Sequence, residues 1–211
     1  MIIRRIPLLG LGVLLASLIL LQTLFAADTS RNVAPPHGPV QVTVSACFVP
    51  AQSCVDSIVN AIGAAKDSIR VQAYGFTSTP ILSALAGAKR RGVNVEVILD
   101  KSNDRTSRNG AASGDDEVGR QPRGNRYTGA TYMANAGVPV FIDFQPAIAH
   151  NKVIVIDSHL VIGGSYNYTA SAERRNAENV TFIDSPEVAG WYLKNWQSRK
   201  EVSRTFRDTS P

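Results

Sequence analysis

His150 and Lys152 stand two residues apart at the head of an apolar run, in the segment AHNKVIVID (149–157). In an extended strand alternate side chains share a face, so the imidazole and the ammonium project together from Cα atoms about 7 Å apart. A single phosphate fits against both. Imidazole is the side chain that is neutral and nucleophilic near neutral pH and can afterwards carry a proton. A cation beside it holds an anion and disfavours early protonation of the ring. Further on, Gly163 and Gly164 allow a close backbone approach to a ligand. Ser165 and Asn167, again two apart, add a hydroxyl and an amide donor suited to phosphate oxygens. Together these residues make a cradle for a tetrahedral anion with a nucleophile inside it. Asp157, at the turn between the two clusters, is expected to fix the loop by hydrogen bonds rather than to take part in the chemistry.

Such a cradle needs strands to hold it. VQVTVSA (40–46) alternates as a strand does, and Val55, Ile58, Val59 and Ile62 follow at the spacing of a helix stripe. IRVQAYGF (69–76) is the next strand, and Thr79-Pro80 opens a helix that Gly92 closes. VNVEVILD (93–100) is a third strand; a short helix over 128–136 and the strand VPVFID (138–143) lead to the segment that carries His150. HNKVIVIDSHLVIGG reads as a hairpin across Asp157-Ser158-His159. NVTFID (179–184) is a last strand, and Ser185-Pro186-Glu187 opens a last helix with Val188, Trp191 and Tyr192 inward. The alternation predicts an α/β fold: a mixed, mostly parallel sheet sandwiched between helices, with the hairpin as its exception.

Residues 101–127 break this rhythm with almost no large apolar side chains. A loop of that length inside a compact domain is either functional or disordered. Its cations are Lys101, Arg105, Arg108, Arg120, Arg123 and Arg126.

The 211 residues suit one domain with an appendage. Arg4 and Arg5 precede an apolar stretch from Ile6 to Leu21, and small residues follow before Asp28. Residues 1–26 therefore read as a signal peptide, or as an N-terminal anchor if they stay uncleaved. Residues 27–39 read as a linker and 40–211 as the domain. Both versions of the leader place the domain outside the cytosol, in the periplasm or secreted. The only two cysteines, Cys47 and Cys54, have six residues between them, and an exported chain oxidises such a pair to a short-loop disulfide. Two buried free thiols are the alternative. Two cysteines and three histidines are few for a zinc site of the usual Cys/His kind. Lys and Arg number 22 against 17 Asp and Glu, a net charge of +5. Without Arg4 and Arg5 the balance is 20 against 17, or +3, so the placement of charge says more than its total.

His150-x-Lys152, four residues, Asp157, six residues, Gly164-Ser165-x-Asn167 resembles the complete HKD motif of the phospholipase D superfamily. Six specified positions at about 5% usage each coincide by chance on the order of once in a hundred million starts. The flanking AHNKVIVID and RNAEN segments resemble the single-motif bacterial endonucleases of the Nuc type, and the likeness runs from about Val40 to Trp196. The long 101–127 segment is the departure from that pattern.

The resemblance implies a phospholipase D-like nuclease domain over 40–211, in which His150 attacks phosphorus to form a covalent phosphohistidine. A second motif histidine protonates the leaving oxygen. His37 and His159 lack the motif's companions, so the second His150 is expected from another copy of the chain, in a two-fold homodimer. Lys152 and Asn167 of both copies would stabilise charge on the non-bridging oxygens. Glu178, in the matching NAEN segment, would orient His150 and set its tautomer; a surface charge before a strand is the plainer alternative. No metal or other cofactor is required by this scheme.

The superfamily cuts nucleic acids and lipids alike, so the motif does not choose between them. Nucleic acid, DNA first and RNA as a further substrate, is favoured by cations that would track a phosphate backbone: Lys101, Arg105, Arg108, Arg123 and Arg126 in the long loop, Lys89-Arg90-Arg91, and Arg174-Arg175. Solvated surface charge is the alternative for these clusters. Tyr74, Phe76, Tyr166 and Tyr168 would stack on bases if exposed, although aromatic residues in or beside strands are more often core. A lipid (cardiolipin) phosphodiesterase held at a membrane by an uncleaved leader is the second expectation. A DNA-binding protein without catalysis is the third, and the intact His150, Lys152 and Asn167 argue against it.

Overall fold

The computed structural model describes residues 41–104 and 128–207. The leader, the linker and the arginines at 105, 108, 120, 123 and 126 lie outside the described residues. In chain order the elements are β1 (Thr43–Val49), α1 (Cys54–Ala64), β2 (Ser68–Ala73), α2 (Thr79–Arg90) and β3 (Asn94–Asp100). A short 3-10 turn, Lys101–Asn103, follows β3. Then come α3 (Gly129–Asn135), β4 (Val140–Asp143), β5 (Lys152–Ile156), β6 (Leu160–Gly164), α4 (Ala170–Arg174), β7 (Glu178–Asp184), α5 (Pro186–Val202) and β8 (Arg204–Thr205).

The strands form one sheet in the order β1-β7-β6-β5-β2-β3-β4-β8. The fold is α/β with a mixed sheet between helices, as expected, but antiparallel pairing predominates over parallel. Only β2–β3 and β3–β4 are parallel among the described strands. The remaining pairs, from β1–β7 through β5–β2 to β4–β8, are antiparallel. The reason is connectivity. Helices α2 and α3 carry the chain back to start β3 and β4 in parallel, whereas no helix separates β4 from β5 or β5 from β6.

The β5–β6 hairpin forms where Asp157 and Ser158 both take positive φ, 49° and 57°, and His159 N–H closes the turn onto Ile156 O at 3.1 Å. Positive φ at both central residues matches the twist of the flanking strands, and aspartate tolerates it better than most residues.

Each face of the sheet has its own helices. Ile69 and Val71 of β2 and Val95, Val97 and Leu99 of β3 are fully buried with Ile58 and Ile62 of α1, Leu85 of α2 and Met133 of α3. The alternate residues of β2 face α5: Gln72 Nε2 donates to Asn195 Oδ1 at 3.4 Å, and the Arg70 guanidinium lies 5.4 Å from the Trp196 ring centre. Trp196 is buried and its indole N–H donates to Val71 O at 3.0 Å. The expected inward position of Trp191 is corrected, for its side chain is 38% exposed. Once Pro186 starts the helix, the inward stripe passes through Val188, Ala189 and Trp196, and Trp191 falls beside it.

Cys47 and Cys54 form a disulfide with Cα atoms 5.6 Å apart, tying the end of β1 to the start of α1. No helix among the described residues is long and apolar enough to cross a membrane.

Candidate active site

One end of the sheet gathers the C-terminal ends of β1, β2, β3, β4 and β6 and the starts of β5 and β7. The register shows it: Ala73 stands beside Lys152, Asp100 beside Asp143, Gly164 beside Val180, and Val49 beside Glu178. His150 sits two residues before β5 and is exposed there, whereas Lys152 is buried, at 8% exposure. Lys152 Nζ lies 3.0 Å from His150 Nε2 and also donates to His150 O at 3.1 Å. An ammonium has no lone pair to offer, so Nε2 accepts in this contact and a neutral ring carries its proton on Nδ1. The unprotonated ring nitrogen therefore faces the cation that would hold an anion.

Tyr74 backs both groups. Its ring meets the imidazole edge-on with centroids 4.8 Å apart, and Lys152 Nζ lies 5.3 Å from its centre. Tyr74 is itself fixed, its N–H donating to Asn151 O at 3.0 Å and its carbonyl accepting Asn103 Nδ2 at 2.8 Å. It is buried, as are Phe76, Tyr166 and Tyr168, so none of the four presents a face for base stacking. Burial and the carboxylates of Glu173 and Glu178 push the Tyr166 hydroxyl well above its ordinary range, and Tyr166 serves as a donor to Glu173 Oε2 at 2.9 Å.

The second half of the motif is placed by two glycines. Gly164 has φ +146°, and a Cβ there would lie 2.3 Å from Asn179 O. Its missing side chain thus admits the neighbouring strand β7. A Cβ on Gly75 would stand 2.9 Å from Thr169 Cγ2 and 3.2 Å from Asn167 Cβ, so Gly75 seats Asn167 directly beside Tyr74. The segment is held there by Tyr168 N–H donating to Gly75 O at 3.0 Å, and by Thr77 and Ser78 N–H donating to Tyr168 O at 2.8 Å. Asn167 Oδ1 is buried without a hydrogen-bond partner among the described residues.

Other expected site residues have different work. Ser165 Oγ donates to Glu178 Oε2 and accepts Asn179 N–H at 3.1 Å and Asn179 Nδ2 at 3.2 Å. One donor and two lone pairs are thereby engaged within the chain. Glu178 also accepts Asn176 Nδ2 at 2.9 Å. Its expected contact with His150 is not made within the chain, because β7 lies two strand spacings, about 10 Å, from β5.

Asp157 is at the opposite end of β5, where its carboxylate accepts N–H bonds from Lys66, Asp67 and Ser68 at 2.8–2.9 Å. It holds the α1–β2 turn and stands at the other end of the sheet from His150 and Lys152. Lys101 Nζ donates to Pro146 O at 3.0 Å, bracing the loop before His150. Lys89, Arg90 and Arg91 end α2 at the far end of the sheet, with Arg91 Nη2 donating to Ile62 O at 3.0 Å, so they do not line a groove at His150. Arg174 is exposed at the end of α4, four residues before Glu178, at the same end as His150.

Sequence reasoning passed over Asp100, which is 3% exposed and whose Oδ2 accepts the N–H of Ala149 at 2.7 Å. A carboxylate closing an otherwise apolar buried strand was the signal that marks it.

The family description "Cardiolipin synthase, PLD-like domain" matches residues 58–199. The chain belongs to the phospholipase D superfamily. It is similar to a Rickettsia conorii protein named Phospholipase D, 41% identical over 157 residues that make 74% of this chain and 69% of that one. Human mitochondrial cardiolipin hydrolase is 26% identical over 165 residues, 76% of this chain and 58% of that protein. Among solved structures, the phospholipase D family member Nuc of Salmonella typhimurium superposes with TM-score 0.64 at 34% identity, covering 80% of this chain and all of Nuc. This superfamily member is a phosphodiesterase of the Nuc type, and the histidine, lysine and asparagine of its motif lie at the end of the sheet described above.

Proposed function

We propose that this phosphodiesterase is an exported, metal-independent, non-sequence-specific endonuclease that hydrolyses DNA, and RNA as a further substrate, in a site shared by two copies of the chain. The observation that carries the reading is the 3.0 Å pairing of His150 Nε2 with the Lys152 ammonium at an exposed end of the sheet. A phosphate drawn to that ammonium meets the nitrogen lone pair. His150 Nε2 attacks phosphorus, the bond to the leaving oxygen breaks, and that oxygen takes a proton from the partner subunit's His150. Water then attacks the phosphohistidine, giving its proton back to the partner subunit's His150 and releasing His150. In-line displacement needs its two groups on opposite sides of phosphorus, and one chain carries one motif, which is the case for two copies.

Nucleic acid is supported by the likeness of the AHNKVIVID and RNAEN segments to the Nuc-type endonucleases, and by exposed Arg174 at the His150 end. Export is supported by the pattern of residues 1–26 and by the Cys47–Cys54 disulfide, a bond that persists in oxidising compartments. Incubation of the purified protein with plasmid DNA in EDTA tests the reading. Cleavage that disappears in His150→Asn supports it; retardation of DNA without cleavage, or cleavage that stops in EDTA, overturns it.

A second reading, a lipid phosphodiesterase at a membrane face, is favoured by Phe48 and Ile148, which are 55% and 48% exposed at the same end as His150. The names of the phospholipase D and cardiolipin hydrolase relatives point the same way. Headgroup release from cardiolipin vesicles with intact plasmid would select it.

A further inference from the structure

His150 is carried on a loop with no helix or strand of its own, between the end of β4 and the start of β5. The loop is tethered by neighbouring side chains and backbone. Gln145 N–H donates to Asp143 Oδ1 at 3.1 Å, Pro146 O accepts Lys101 Nζ at 3.0 Å, and Ala149 N–H donates to Asp100 Oδ2 at 2.7 Å. Beyond His150, Asn151 O accepts Tyr74 N–H at 3.0 Å. The tether next to His150 on its upstream side is therefore Asp100, and on its downstream side Tyr74. Asp100 is buried, and its other oxygen accepts Ser102 N–H at 2.8 Å, so its carboxylate is held in place at both atoms. Bonds from backbone N–H to a buried carboxylate are short and strong, and they fix direction as well as distance.

We propose that Asp100 is a positioning residue for His150: by gripping Ala149 it fixes the approach of the imidazole to Lys152 and to phosphorus. The assignment rests on His150 as the nucleophile. Nothing in it requires Asp100 to touch substrate. A carboxylate at this position holds an anion-binding loop by its backbone while its charge stays below the surface, satisfied by N–H groups rather than aimed at the phosphate. Loss of the grip lets His150 drift, and a displacement of about 1 Å at a reacting group costs on the order of 100-fold in rate.

The test uses the full chain and bis(p-nitrophenyl) phosphate, a soluble phosphodiester. Asp100→Asn places an amide N–H against one of the two backbone N–H groups. It should lower kcat by about 100-fold and leave KM within about threefold, since binding to Lys152 is retained. Asp157→Asn, which breaks a similar carboxylate grip at the far end of the sheet, is the control for mere destabilisation. It should lower the unfolding midpoint while leaving kcat within about twofold. Ala149→Pro removes the same N–H from the other side and should reproduce the kcat loss, which covers the case in which Asp100→Asn fails to fold. A folded Asp100→Asn or Ala149→Pro protein with kcat within about twofold of the parent, beside an inactive His150→Asn, overturns the assignment of Asp100 alone. Full activity in His150→Asn overturns the nucleophile and the positioning role together.

Discussion

Two histidines stand at opposite ends of the β5–β6 hairpin, and their companions have opposite charge. His150 Nε2 faces the Lys152 ammonium at 3.0 Å, whereas His159 Nδ1 faces the Asp184 carboxylate at 2.8 Å. A carboxylate only accepts, so it holds a ring proton in place; an ammonium only donates, so it faces a ring nitrogen that carries no proton. The same side chain is thus a prospective nucleophile at one end and a surface hydrogen-bond donor at the other. The ends differ in what their carboxylates grip as well. Asp157 uses three N–H bonds to fasten the turn between α1 and β2, a structural joint. Asp100 and Asp143 grip the loop that carries His150, and Asp143 is also held by Arg199 through bonds of 2.7 and 2.8 Å. Fixed turns give one end its stability, and a fixed loop gives the other its geometry.

The largest expected effect separates the histidines. His150→Asn should reduce phosphodiester hydrolysis at least about 1000-fold, and His159→Asn should leave it within about twofold, in initial rates on one substrate. Comparable losses in both would erase the distinction between the ends.

Next comes stability. Asp157→Ala leaves three backbone N–H groups without their acceptor and should cost about 1–3 kcal/mol in urea unfolding with unchanged turnover. A loss of turnover without a loss of stability would return Asp157 to the reacting centre. The same residue predicts an acid response. Burial works to raise the Asp157 carboxyl, but N–H bonds from Ser68, Asp67 and Lys66, with His159 nearby, bring it below its ordinary 3.8. A lowered folded-state value means that the stabilisation is fully present above 3.8 and is lost as pH falls through the folded value. Asp157→Asn should therefore flatten the acid limb of the stability profile below pH 3.8 and leave its neutral region parallel to the parent. An unchanged acid limb would show that the turn is held by something else.

The smallest effect concerns exposed arginines. Arg174→Ala, at the His150 end, should reduce the slope of log binding constant against log salt for DNA by about 1, and Arg90→Ala, at the far end, should leave it unchanged. Equal slopes in the two variants would mean that DNA does not distinguish the ends.

Much of this was legible in the chain. The spacing of His150 and Lys152 predicts that their side chains meet, and their nitrogens do meet, although β5 begins only at Lys152 and His150 stands on the loop before it. Asp157-Ser158 announces a turn because it interrupts two apolar runs, and the hairpin forms there. What was not legible involves partners far along the chain. Ser165 and Glu178 meet in a hydrogen bond across 13 residues, a pairing that motif position alone did not suggest. The Lys89-Arg90-Arg91 cluster looks like part of a phosphate-tracking groove until the direction of α2 carries it to the wrong end.

Local chemistry, then, was written in residue order: the histidine beside its cation, the turn aspartate, the strand and helix periods, and the cysteine pair. Periods and spacings act over a few residues, within which the backbone leaves little freedom. The tertiary structure decided the sheet order, the predominance of antiparallel neighbours, and the meeting of Asp100 with Ala149 across 49 positions. Those contacts depend on which strands lie side by side, and burial of apolar faces selects that arrangement from the whole chain at once.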